Sequence, residues 1–250
     1  MVPDDNREGA DAMEGGQAPR VAIVDYSLGN LFSVKHACEK VGLQPFISSD
    51  KHEILAADAV ILPGVGAFGD AMECLRQRDL IRPLQDIAES GKPLIGICLG
   101  QQLLMTESFE FGRHRGLNIF EGPVIRFENP MGPNGPLKVP QVGWNRIYRP
   151  EYLKQRCAGD CWDDSPLQGL RDGEYMYFVH SYYVKPADPS VVLSITRYGH
   201  IEFCSSLRKG NVMAFQFHPE RSGPQGIQIY HNLARLIIQH CQKEEIRRAA

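Results

Sequence analysis

Gly96-Ile-Cys-Leu-Gly100 is the stretch that most restricts what this chain can become. Pro93 to Ile97 is an apolar run too short for a helix and preceded by Gly91, which predicts a buried strand. Cys98 follows at once, and Gln101-Gln-Leu-Leu-Met105 then opens a helical pattern. Gly-x-Cys-x-Gly at a strand-to-helix turn has the layout of a nucleophile elbow. The flanking glycines let the backbone turn sharply without a Cβ clash and leave the side chain exposed above the sheet. The N-terminus of the following helix is expected to stabilise a thiolate. A cysteine taken alone is far more often an apolar filler. The turn around Cys98 sets it apart.

The rest of the chain supplies a sheet for that elbow. Arg20 to Asp25, Gln44 to Ile47 and Ala59 to Leu62 read as strands, with a helical pattern at Leu31 to Val41 that Gly42 stops. Ile54 to Ala57 reads as a helical turn, and Asp70 to Gln77 and Leu80 to Glu89 as helices. Strands alternating with helices indicate an α/β fold with an open, largely parallel sheet covered by helices on both faces. Ligands of such sheets bind beyond the carboxyl ends of the strands, where Pro63-Gly-Val-Gly66 and Cys98 both fall. After Gly112 the short runs look antiparallel: 124–127, 142–147, 175–183, 191–198 and 201–207. A strand at 211–218 and an amphipathic helix at 228–243 close the chain. These readings place one domain at residues 19–243, behind a disordered leader at 1–18 and before a tail at 244–250.

Composition removes several function classes. The net charge is −3, so nothing favours a nucleic acid or an anionic membrane as partner. No apolar run reaches the roughly 18 residues of a membrane span. Seven cysteines at irregular spacing argue for a reducing compartment, hence the cytoplasm. Cys157 and Cys161 alone, with no second pair, are a weak zinc signal, and no metal or cofactor is expected.

The second constellation is Gln216-Phe-His-Pro-Glu220. Pro219 ends the strand before it, which puts His218 at a strand end, where active sites gather in a parallel sheet. Glu220, two residues on, can reach the distal side of the imidazole, fix its tautomer and stabilise the imidazolium. A His-Pro-Glu triplet by itself is bland. Joined to the elbow cysteine, it makes a Cys98-His218-Glu220 triad.

With these residues in view, the chain resembles the class I, triad-type glutamine amidotransferases, and among them the glutaminase subunits of imidazole glycerol phosphate synthase. Six segments carry the likeness: Val24-Asp-Tyr-Ser-Leu-Gly-Asn-Leu31, Leu62-Pro-Gly-Val-Gly-Ala-Phe68, Gly96-Ile-Cys-Leu-Gly-Gln-Gln-Leu103, Val142-Gly-Trp-Asn145, Phe178-Val-His-Ser-Tyr182 and Gln216-Phe-His-Pro-Glu-Arg-Ser222. The likeness runs from about residue 20 to residue 240. It implies a flavodoxin-like sheet and hydrolysis of L-glutamine to glutamate and ammonia through a Cys98 thioester. The backbone N–H of Leu99, and a second donor from the loop Gly64-Val65-Gly66, would form the oxyanion hole. Gly66, Gln102, Glu110, His180, Ser181 and Tyr182 match glutamine-binding positions, His180 and Ser181 through backbone groups.

The resemblance also implies a partner. Similar subunits dock on a cyclase of (β/α)8-barrel type, which takes the ammonia and makes imidazole glycerol phosphate and AICAR in histidine biosynthesis. Asn30, Trp144 and Arg221 match positions near that interface. Arg221 stands where the family commonly has Lys, and the segments 112–116 and 150–173 are richer in charge and loops than the family pattern. These departures leave open a second acceptor, a sugar amidotransferase of surface-polysaccharide (O-antigen) synthesis. A cysteine peptidase of the same elbow layout, and a non-catalytic interaction subunit, are the other readings. The first lacks a reason for the Gln216 to Glu220 segment. The second would be expected to lose a triad member.

Overall fold

The computed structural model describes residues 17–155 and 159–249. Most of the expected leader, residues 1–16, lies outside them, as does Cys157 of the weak zinc pair.

Alternation along the first strand sets the layers. In β1 (Arg20–Val24), Val21 and Ile23 point into one apolar cluster, and Ala22 and Val24 into another. Strands β2 (Gln44–Ser48), β3 (Ala59–Gly64) and β4 (Leu94–Cys98) continue that two-faced pattern. Helix α1 (Leu31–Lys40) and the closing helix Gly223–Ala249 contribute to the first cluster. Helices α2 (Lys51–Ala56), α3 (Phe68–Gln77), α4 (Ile81–Ser90) and α5 (Leu99–Leu103) contribute to the second. A sheet buried on both faces in this way accepts apolar residues at every position, so the inner strands read as unbroken apolar runs.

Among the described residues, nine strands form the main sheet. The parallel half runs β2, β1, β3, β4 and then Val212–Phe215. From there it continues antiparallel through Ile201–Lys209, Val192–Tyr198, Gln141–Tyr148 and Glu174–His180. A second sheet of four strands joins Tyr182–Val184, Phe120–Arg126, Met105–Ser108 and His114–Arg115.

Several elements depart from the sequence reading, and four of them have reasons visible in the fold itself. Helix α2 starts at Lys51 rather than near Ile54, because Asp50 Oδ1 accepts from the N–H groups of His52 (2.8 Å) and Glu53 (3.0 Å). The helix expected after Cys98 lasts only five residues. The carbonyls that would continue it are taken by a neighbouring segment: Leu103 O accepts from Leu117 N (2.8 Å) and Leu104 O from Ile119 N (2.9 Å). So short a helix cannot carry the dipole expected to act on Cys98. The run 175–183 is two strands in two sheets, divided at Ser181, whose carbonyl is held by Phe127 N. The closing helix passes through residues 244–249, set apart above as a tail; these are good helix formers and include an Arg247–Glu244 pair at 2.8 Å.

Candidate active site

Three adjacent parallel strands build the site. Gly64 at the end of β3 is in register with Cys98 at the end of β4, and the strand Val212–Phe215 on the other side of β4 leads into His218. All three residues therefore emerge at the same carboxyl edge.

The turn at Cys98 is strained where the chemistry is. Cys98 itself has φ 56° and ψ −108°, a conformation that a side chain adopts only when its surroundings hold it. The neighbouring glycine serves close approach: a Cβ on Gly100 would lie 1.8 Å from the carbonyl oxygen of Leu62. Gly100→Ala is therefore expected to destabilise the fold by about 3 kcal/mol or more, read as a lowered denaturant midpoint. A midpoint unchanged from the parent would mean that β3 yields freely at Leu62. In the adjacent loop after β3, Gly66 has φ +103°, which suits a loop that must aim N–H groups inward.

His218 is buried, and its Nδ1 pairs with Glu220 Oε1 at 2.8 Å, while the Glu220 side chain is 1% exposed. Its Nε2 is buried and makes no hydrogen bond within ordinary limits. Burial alone would pull the imidazole down. That is the largest single influence, but the charge and hydrogen bond of Cys98 and then those of Glu220 together outweigh it and push His218 up to about 10. The arrangement thus favours the imidazolium form of His218. Glu220 Oε2 has no hydrogen-bond partner, and the nearby Tyr230 phenol is held protonated by burial and then by the Glu220 charge.

A cavity of about 250 Å³ opens beside the thiol. Val65, Gly66, Cys98 and Leu99 line one side of it, and Gln102 and Glu110 stand beside them. His180, Ser181 and Tyr182 line the facing side, where the chain changes sheets. Gly64, His218 and Glu220 are not among the residues that line it. A larger cavity of about 610 Å³ lies at the opposite end of the sheet, around Asn211 and the closing helix, and holds none of these residues.

Individual positions behave as follows. Gln102 Nε2 donates to Tyr182 O at 3.0 Å, so Tyr182 acts through its carbonyl. Glu110 Oε2 accepts from Phe68 N at 2.6 Å, starting α3 two residues earlier than the sequence suggested. His180 is buried in an aromatic cluster with Phe127, Phe178 and Phe203, and its Nδ1 meets Tyr182 O at 2.8 Å. Burial pushes it down to about 4. His180 is thus neutral in the fold and protonated more readily when unfolded. The stability that follows is complete above about pH 6.5 and declines as pH falls toward 4, by roughly 3 kcal/mol in all. Urea denaturation at pH 7 and pH 4.5 measures this, and His180→Phe is expected to remove most of the difference. An unchanged difference in that variant would assign it to carboxylates instead.

Trp144 is 55% exposed and meets the Tyr177 ring edge-on at 6.1 Å, while the Arg221 guanidinium lies over the same ring at 4.7 Å. Tyr177 O also accepts from His218 N at 2.9 Å, which ties this surface to the triad. Asn30 precedes α1 and accepts from Val34 N through its backbone, with no side-chain cap. Sequence reasoning missed Tyr177, Val179 and Gln216. Val179 O accepts from Cys98 Sγ at 3.9 Å, and Gln216 Nε2 donates to it at 3.8 Å. The lone polar residue between Phe215 and Phe217 was the one available signal for Gln216.

Comparison with known proteins matches this geometry. A family model described as glutamine amidotransferase class-I covers residues 22–236. The chain is 46% identical over 214 residues to the imidazole glycerol phosphate synthase subunit HisH of Rhodopirellula baltica, covering 86% of this chain and 96% of that protein. It is 48% identical to the subunit of the same name in Methanosarcina mazei, covering 87% and 98%. Among solved structures, PurLQS from Thermotoga maritima matches with a TM-score of 0.64 at 20% identity, covering 88% of this chain and 99% of that one. The glutaminase domain of Trypanosoma brucei CTPS matches with a TM-score of 0.62 at 15% identity, covering 89% and 94%. At those identities the structural likeness speaks for the fold.

Proposed function

The chain belongs to the class-I glutamine amidotransferase family, and on that premise we propose that it works as the glutaminase subunit of an imidazole glycerol phosphate synthase in histidine biosynthesis. The observation that carries the reading is the delivery of Gly64, Cys98 and His218 to one sheet edge, with a buried His218–Glu220 pair at 2.8 Å behind the thiol.

In this reading Cys98 Sγ attacks the side-chain amide carbon of glutamine. The N–H groups of Leu99 and of the Gly64-Val65-Gly66 loop receive the charge that develops on the amide oxygen. His218 gives its proton to the departing ammonia, leaving a γ-glutamyl thioester on Cys98. The neutral imidazole then takes a proton from water, whose oxygen attacks the thioester carbonyl and releases glutamate. Glu220 holds the ring throughout. Gln102, Glu110 and the backbone of His180, Ser181 and Tyr182 position the substrate.

The ammonia goes to a synthase subunit of (β/α)8-barrel type, docked over Asn30, Trp144 and Arg221. An exposed tryptophan set edge-on to a tyrosine whose ring carries the Arg221 guanidinium supports an interface anchor there. The names of the relatives favour the histidine pathway over the surface-polysaccharide one. Among the described residues, no helix is long and apolar enough to cross a membrane.

Glutamate release by the purified chain, alone and with a histidine-pathway cyclase and its nucleotide ligand, tests the proposal. Strong stimulation by the cyclase is the expected result. Turnover that rises only with a sugar amidotransferase would keep the chemistry and discard the pathway. No turnover with either partner would discard the chemistry.

A further inference from the structure

Gln216 has no part in the steps above, yet it joins the nucleophile to the substrate-binding side of the cavity. It is fully buried, directly after the strand Val212–Phe215, and its N–H donates to Ser205 O at 2.9 Å. Its side-chain Oε1 accepts from Gln102 Nε2 at 3.1 Å, and its Nε2 donates to Cys98 Sγ at 3.8 Å.

A primary amide has one acceptor end and one donor end, so fixing either end fixes the other. Gln102 Nε2 has two hydrogens, one for Gln216 Oε1 and one for Tyr182 O. With both committed, the carbonyl oxygen of Gln102 is the free polar end of a side chain that lines the cavity. The same pairing turns the N–H end of Gln216 toward sulphur. A donor there favours the anionic form of the sulphur, because a hydrogen bond to a charged acceptor is roughly twice as strong as one to a neutral acceptor. A buried amide in an otherwise aromatic segment carries a desolvation cost unless both ends are bonded, and here both are.

We infer that Gln216 is a positioning residue for glutamine hydrolysis: its amide steadies the Cys98 thiolate and, through its other end, presents the acceptor oxygen of Gln102 to an N–H group of the substrate. This rests on the glutaminase reading.

The test is the pH dependence of Cys98 alkylation by iodoacetamide, followed by peptide mass spectrometry in the full chain, wild type and Gln216→Met. Loss of the donor is expected to move the midpoint of alkylation up by about one pH unit. In the complex with the synthase subunit, kcat is expected to fall about 10- to 100-fold and the KM for glutamine to rise. The KM effects of Gln102→Ala and Gln216→Met are expected to be non-additive, as for two residues in one network. If Gln216→Met does not fold, Gln216→Asn serves, since it is one methylene short of spanning both partners. An alkylation profile superimposed on the wild type overturns the inference, and additive KM effects overturn the link to Gln102. Wild-type protein that is alkylated at Cys98 but releases no glutamate with any partner would sink the glutaminase reading itself, a different result.

Discussion

Cys98→Ala is expected to lower glutamine hydrolysis by at least about ten-thousand-fold while leaving the fold and the partner surface intact. The Cys98 thiol lines the cavity and meets the imidazole of His218, and removing a nucleophile from a triad leaves only binding and oxyanion stabilisation. Alanine fits the same strained backbone no worse than cysteine, and Trp144 and Arg221 do not line the cavity, so association with the synthase subunit should persist. The variant carries a second, independent signature. The thiolate is the largest influence raising His218, so without it the imidazole should titrate well below about 10, which histidine NMR reads directly. Hydrolysis within tenfold of the wild type would mean that Cys98 is not the nucleophile. An unmoved His218 would mean that the two side chains do not share a proton.

Glu220→Gln is the second large effect. Its Oε1 holds His218 Nδ1 at 2.8 Å in a pocket where the carboxylate is almost wholly excluded from water. An amide of the same shape no longer stabilises the imidazolium, and it can present an N–H to Nδ1 and so select the wrong tautomer. A fall in kcat of about 10²- to 10⁴-fold is expected, with the KM for glutamine little changed, because Glu220 does not line the cavity. His218 should also titrate lower than in the wild type, since Glu220 is one of the groups that raise it. A loss below about tenfold would reduce Glu220 to an anchor for the turn Pro219–Arg221.

Much of this could be read from the chain before any geometry. Local spacing names Cys98, because Gly96 and Gly100 leave the backbone free to turn sharply and pack closely there. It also names His218 and Glu220, because Pro219 between them forbids a continuing strand, although the strand itself already ends at Phe215. The β–α alternation of the first half was legible for the same reason: strand and helix periods are properties of short windows. The start of α3 was not, since its cap is Glu110, brought from 42 residues away. Nor was the end of α5, which the 117–120 segment decides by taking its carbonyls. Gln216 was passed over because a buried amide is recognisable only by the two groups it bonds.

The sequence by itself therefore determined the chemistry and its family: a glycine-flanked cysteine, a histidine and a glutamate at strand ends of an α/β chain. Tertiary structure alone decided how those groups act on one another. The adjacency of β3, β4 and Val212–Phe215 puts residues more than 100 positions apart at one edge. Burial there strips water from His218 and Glu220, so their charges are felt across a few ångströms with little screening. The division of the 174–184 run between two sheets turns His180, Ser181 and Tyr182 toward the cavity. Each of these depends on contacts between distant segments, which no local pattern encodes.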